Sequence, residues 1–457
     1  MENVDVRGHS EIETKAEAET ARPARGGAVR LRRPGRQQMA WVAQCPDDLV
    51  PPGHPVRRIW EVAEHLDVSG FYTPIKARAG VAGRDTTDPK LLVALWLYAC
   101  VRGIGAAREL ARQCEENLAF LWLLGGVTVN PRLLSDFRTD HGEALDALFT
   151  QVIASLVDKG VVKVRRISQD GVRIRVGAGA SSRRGEERLQ QLLAEAQQHV
   201  EELRRQLEGA EGAALTARQR AVRERMALER LQRLQEAIAQ LPEVKKRHEE
   251  TLKRAGRGRQ GQKARERKPR VSTTDAEARV MKMANGGFNP AANVQLAADV
   301  ESRAVLAVEV SNEGSDSAGL SAPMRAQVEE RTQGKVEEHL WDGGYVRYED
   351  IEQAAGQGVA LYMPPKGATN PARRGQELDP KPGDSEAVKA WKQRMRSEEG
   401  KQIYKQRAAT SETIHADLRT CRGLGRITVR GLKKIRCVVL WSALAYNLMH
   451  FGSALLT

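Results

Sequence analysis

Arg166-Ile167-Ser168-Gln169-Asp170-Gly171-Val172-Arg173-Ile174 alternates β-branched and polar residues around a central carboxylate. The alternation predicts a strand that delivers Asp170 to a sheet. Further along, His339-Leu340-Trp341-Asp342-Gly343-Gly344-Tyr345 ends a second expected strand on Asp342. Tyr404-Lys405-Gln406-Arg407-Ala408-Ala409-Thr410-Ser411-Glu412 lies on a charged helical stretch that carries Glu412. Two short carboxylates on strands and a long one on a helix can gather around a pair of Mg²⁺ ions. Such a pair clamps the attacking and leaving oxygens of a phosphodiester roughly 3.5–4 Å apart. Singly, each has a plainer reading: an Asp before Gly is a common turn former, and Glu412 is one more charge on a polar helix face.

Composition points the same way. Lys and Arg number 73 against 59 Asp and Glu in 457 residues, a net charge of +14. The expected ligand of such a surface is a polyanion whose binding weakens with salt. Aromatics are 4% of the chain, so its cores must rest on Leu, Val, Ile and Ala, and its length allows two or three domains. Cys45, Cys100, Cys114, Cys421 and Cys437 show no paired or CxxC spacing. They read as buried thiols in a reducing cytosol, not as zinc ligands or disulfides. The amino terminus has no apolar stretch, so no signal peptide is expected. Ser442, Tyr446, Asn447 and His450 interrupt the apolar run from Val438 to Leu456, which favours a buried helix over a membrane span. A soluble cytoplasmic protein is expected.

Residues 1–36 are polar and rich in Gly, Pro and Arg, as in a disordered basic arm. Residues 37–158 turn helical and form an expected all-α, DNA-binding domain. Asp88-Pro89 opens a helix over Lys90–Val101, Arg108–Leu124 follows, and Leu133–Leu156 completes the set. A strand is expected over Val161–Val176. The pattern then changes for about 90 residues. Leu189, Leu193, Ala196, Val200, Leu203 and Leu207 form one coiled-coil seam, and Leu228, Leu231, Leu234, Ile238 and Leu241 a second that Pro242 stops. The simplest arrangement is an antiparallel helical hairpin inserted into the domain that Asp170 begins.

From Lys253 to Arg270 come nine Lys or Arg and one Glu. Gly256-Arg257-Gly258-Arg259-Gln260-Gly261 matches a dinucleotide fingerprint in letters only, because no strand precedes it and no amphipathic helix follows. A flexible loop with Arg257, Arg259, Lys263 and Arg265 laid along phosphates fits better, and a solvated linker would look the same. Beyond it the reading gives a hairpin of Asn293–Asp299 and Ala304–Val310, a helix over Ala318–Arg331, and a strand over Val336–Trp341. A helix over Tyr348–Ala355, a strand over Val359–Met363 and one long helix over Val388–Thr420 complete it. With the insertion removed, this is the order of an RNase H-like mixed sheet flanked by helices. The expected partition is 37–158 as the helical domain, 159–182 with 271–457 as the RNase H-like domain, and 183–270 as the insertion.

In this region the chain resembles the DDE transposases of bacterial insertion sequences, the branch with a YREK signature. The likeness is carried by Ser168-Gln169-Asp170-Gly171, Thr274-Asp275-Ala276-Glu277-Ala278-Arg279 and Gly286-Gly287-Phe288-Asn289. It continues through Ser311-Asn312-Glu313-Gly314-Ser315-Asp316-Ser317, Asp342-Gly343-Gly344-Tyr345 and the Tyr404/Arg407/Glu412 helix. The resemblance implies that Asp170, Asp342 and Glu412 bind two divalent ions, Mg²⁺ with Mn²⁺ as a substitute. It implies that Tyr404, Arg407 and Arg419 hold DNA phosphate. Its implied activity is cleavage at the ends of an element and strand transfer into target DNA, by at least a homodimer. Two departures stand out: four residues separate Arg407 from Glu412 where three are usual, and Arg419 replaces a lysine. A decayed DNA-binding remnant, a structure-specific nuclease on the same fold and a coiled-coil scaffold are the alternatives.

Overall fold

The computed structural model describes residues 45–78, 80, 85–209, 214–254, 262, 265–314, 319–342, 347–365 and 378–456. The expected basic arm at 1–36 and the loop residues Arg257, Arg259 and Lys263 lie outside the described residues.

Six helices come first: α1 (Pro55–His65), α2 (Pro89–Val101), α3 (Ala107–Glu116), α4 (Leu118–Leu124), α5 (Pro131–Asp140) and α6 (Gly142–Asp158). Asp88 accepts a hydrogen bond from the Lys90 N–H and Pro89 sits in the first turn of α2, as the sequence predicts. Leu91 to Cys100 are all buried, so α2 is enclosed on every side. The helix expected over 108–124 breaks at Asn117, whose side chain caps α4 through the Ala119 N–H. The one expected over 133–156 breaks at His141.

Strand β1 (Arg166–Arg175) begins later than the expected Val161. Val164 has φ of 59°, a left-handed turn that no strand runs through. The short strands β2 (Arg183–Arg184) and β3 (Val271–Ser272) pair antiparallel and bracket the insertion. Between them run α7 (Glu186–Glu208), α8 (Ala217–Ala239) and α9 (Leu241–Arg254). Leu189 packs with Leu234, Ala237 and Leu241, and Val200 and Leu203 with Ala227, which makes α7 and α8 the expected antiparallel hairpin. Pro242 does not end the helical insertion. It stands in the first turn of α9, where its missing N–H costs nothing, and a third helix follows.

The remaining elements are β4 (Arg279–Lys282), β5 (Phe288–Asp299), β6 (Val305–Ser311), α10 (Ser321–Thr332), β7 (Glu338–Leu340), α11 (Tyr348–Gly356), β8 (Ala360–Tyr362), α12 (Glu386–Arg396), α13 (Glu398–Thr420) and α14 (Leu432–Leu456). The sheet runs β6-β5-β1-β7-β8, with β4 pairing the outer part of β5. The pairs β6/β5 and β5/β1 are antiparallel, whereas β1/β7 and β7/β8 are parallel. This is the RNase H-like arrangement, an α/β fold joined to a helical amino-terminal region. The single helix expected over Val388–Thr420 is two, because Ser397 takes extended backbone angles and caps α13 through the Gly400 N–H.

Helix α14 has the length and apolarity of a membrane span, but two thirds of that stretch is buried inside the protein. Asn447 explains its place. Its Oδ1 accepts from the Val305 N–H at 2.9 Å and its Nδ2 donates to the Val305 carbonyl at 2.8 Å, satisfying the first residue of β6. Cys100, Cys114 and Cys437 are buried as expected, whereas Cys45 and Cys421 are exposed.

Candidate active site

β1 and β7 run parallel with Ser168 opposite Leu340. The pairing ends there, and Asp170 within β1 and Asp342 just past β7 each lie two residues beyond it, both within reach of one side chain of α13. Helix α13 lies against β1. The Ser411 hydroxyl meets the Ser168 hydroxyl at 2.8 Å, and the Arg166 guanidinium donates to Gln406 at 2.8 Å. These contacts fix the rotation of α13, with Ile403, Thr410, Ser411, Ile414 and Leu418 inward.

Arg407 therefore points at the carboxylates. Its Nη1 stands 3.0 Å from Asp170 Oδ2 and its Nη2 3.9 Å from Asp342 Oδ1. The closer approach is an ion pair without the alignment of a hydrogen bond, and Nε has no partner among the described residues. Burial works against the charge on Arg407, but Asp170, Tyr404 and Asp342 together outweigh it and raise its pKa. The Tyr404 ring lies 5.9 Å from the guanidinium carbon, and burial raises its phenol pKa against the pull of Arg407. Asp170 also accepts from the Gly171 N–H at 2.9 Å.

Two further placements matter. Glu412, one position past Ser411, lies on the exposed flank of α13 and makes no hydrogen bond or ion pair with a described residue. Arg419, two turns on, is exposed too, and so is Arg265 in the insertion. His415, which the sequence reading did not single out, sits with Nδ1 4.0 Å from Asp170 Oδ2. Burial, then Arg407 and Arg419, press its pKa down to about 4. His415 follows Arg407 and Ser411 at helical spacing, so it shares their face once α13 is seated on β1.

Among the described residues no three His, Cys, Asp or Glu stand together as a metal-binding group. The convergent pair still fits a hard cation. Mg²⁺ is commonly held by one or two carboxylates, with water and substrate phosphate completing its shell. Asp170 and Asp342 already converge on one positive charge, that of Arg407.

Residues 44–140 match a transposase domain (DUF772). Residues 367–451 match a transposase DDE domain. Together the two matches support an insertion-sequence DDE transposase. The second match makes it an enzyme of the polynucleotidyl transferase type. No curated protein and no solved structure matches the chain. The DDE match spans α13 and most of α14, and so carries Tyr404, Arg407, Glu412, His415 and Arg419 of the transposase. Asp170 and Asp342 fall between the two matched regions and rest on the geometry above.

Proposed function

We propose that this transposase binds the ends of its insertion sequence, hydrolyses a phosphodiester there and joins the freed 3′-hydroxyl to target DNA. The observation that carries the reading is the convergence of Asp170 and Asp342 on one cation under α13. In the first step water attacks phosphorus and the bond to the 3′-oxygen breaks. In the second the 3′-hydroxyl attacks a target phosphodiester, so one P–O bond forms as another breaks and no external energy is needed.

A divalent ion, Mg²⁺ with Mn²⁺ as substitute, held by Asp170 and Asp342 would supply positive charge to the phosphoryl oxygens. Glu412 is the proposed third carboxylate of a two-ion site. It stands one residue from the serine that touches β1. Arg407 offsets the repulsion between the two aspartates, and Tyr404 packs beside it. Arg419, which is exposed, would meet flanking phosphate. Synapsis of two element ends calls for two copies of the chain.

The test places the gene with its native flanking DNA on a plasmid and measures excision and joining in cells. Asp342→Asn is expected to lower both by roughly a hundred-fold or more, since it removes one ion-binding charge. Equal activity in the two proteins would remove Asp342 from the site. Silence in both, with the protein folded and bound to DNA, would point to an inactive remnant.

A further inference from the structure

Where the helical insertion meets the sheet, α9, residues 265–270, β4 and the start of β5 enclose a cleft of about 1040 Å³. Arg183, Arg247, Arg267, Lys268, Arg270 and Arg279 line it, and among the described residues the one carboxylate on its walls is Glu266. The guanidiniums are unevenly answered. Arg247 pairs with Glu243 at 2.5 Å and Glu313 at 3.5 Å. Among the described residues Arg183 donates only to a backbone carbonyl, that of Arg270 at 2.8 Å, and Arg279 donates to the Ala276 and Ala278 carbonyls and to Gln240. The Nε atoms of Arg183 and Arg279 are buried with no hydrogen-bond partner among the described residues. Burial lowers the pKa of both groups, and neighbouring Arg270 and Arg247 lower them further. Like charges crowded in one cleft with unpaired donors are stabilised by an anion that enters it.

Phe288 identifies the kind of anion. It opens β5 opposite Lys282, lines the same cleft, and is 64% exposed. An aromatic face among phosphate-binding cations is the pairing that holds unpaired nucleic acid, with charge tracking the backbone and the ring stacking on a base. A duplex hides its base faces within the stack, so it satisfies the cations and leaves Phe288 unused.

We propose that this cleft binds an unpaired DNA strand, with phosphates against Arg267, Lys268 and Arg270 and one base stacked on Phe288. The inference deepens the transposition reading, which supplies such strands at opened element ends, but binding itself needs no chemistry. The test measures fluorescence anisotropy of the full chain with a labelled oligothymidylate and with a duplex of unrelated sequence, in EDTA and over a salt series. Phe288→Ala is expected to weaken oligothymidylate binding about 5- to 100-fold, the range of one lost stack. Phe288→Trp should restore it, and both variants should keep the wild-type salt slope and duplex affinity. Arg267→Ala with Lys268→Ala should instead reduce the slope by about 1.4, for two lost phosphate contacts. No oligothymidylate binding by the wild type would overturn the proposal. So would an unchanged affinity in Phe288→Ala, or an equal loss of duplex binding. Because the assay contains no divalent ion and no cleavable end, its failure leaves the transposition reading standing. A failed excision test likewise leaves this one intact.

Discussion

His339 places an imidazole at the middle of the sheet, on β7 opposite Ile167, with no solvent exposure. Neither ring nitrogen meets a hydrogen-bond partner among the described residues, and the ring stands T-shaped to that of Trp341, 4.8 Å between centroids. Burial, then nearby Arg325, holds its pKa well below the ordinary histidine value. The folded state thus binds the proton more weakly than the unfolded chain does. Stability from this group is complete above the unfolded pKa of about 6.5 and is lost as pH falls below it. His339→Leu removes both the titration and the two unpaired nitrogens. The variant should be at least as stable as the wild type near neutrality, and its stability should fall less steeply between pH 7 and pH 5. Urea melts across that range would show it, and parallel pH profiles would refute it. Arg407 is the contrasting case, a buried charge that is answered. Its spacing from Glu412 is one residue longer than usual, and the seating of α13 on β1 turns Arg407 onto Asp170 and leaves Glu412 and Arg419 on the exposed flank.

At the level of elements, the join between α12 and α13 rests on Gly400. α12 is held on β8 through Trp391 Nε1 to the Met363 carbonyl and Arg394 to the Leu361 carbonyl, whereas α13 is held on β1. The two anchors bring the last turn of α12 against the first turn of α13. A Cβ on Gly400 would stand 1.9 Å from the Arg394 carbonyl oxygen. Helix propensity alone favours Gly400→Ala by about 0.8–1.0 kcal/mol, but overlap with a backbone atom works against it by about 1–3 kcal/mol or more. The contact should win. A lower melting temperature is expected, together with less excision in the plasmid assay if the proposed function holds, because α13 carries Arg407. A raised melting temperature would show that the two helices are not locked. The same join shows what the sequence could reveal. Ser397-Glu398-Glu399 is a helix start, a capping serine followed by first-turn acids, but it lies inside a charged run that reads as one continuous helix. The strand order was legible because alternation and turn residues are local signals. Asp170 and Asp342 stood out for the same reason, as carboxylates before glycine, one within a strand and one just beyond the end of another. The rotation of α13, and with it His415, depends on which of its faces meets β1, a long-range contact that helical periodicity does not encode.

Across the whole molecule, the amino-terminal helices and the sheet share one continuous core, and α14 is the element common to both. Trp441 has no solvent exposure, donates from Nε1 to the Arg138 carbonyl at 3.1 Å, and lies near Phe71 and Phe137. Two turns on, Asn447 of the same helix ties down Val305 of β6. A second link crosses the same junction, where Arg331 of α10 and Arg436 of α14 both reach Asp146 of α6, at 2.8 and 2.7 Å. With two such links, a defect on the helical side of α14 must be felt in the sheet. Trp441→Ala removes a large buried ring, a loss of about 3–5 kcal/mol. Hydrogen exchange of the full chain at low denaturant should then show amides of α2, α6 and β6 becoming less protected together, by the same free energy. Faster exchange confined to α1–α6, with β6 unchanged, would mean that the helical region opens on its own and that α14 serves the two sides independently. Concerted loss would make the helical region and the sheet a single cooperative unit, so that the helices are held in fixed register with the strands that carry Asp170 and precede Asp342.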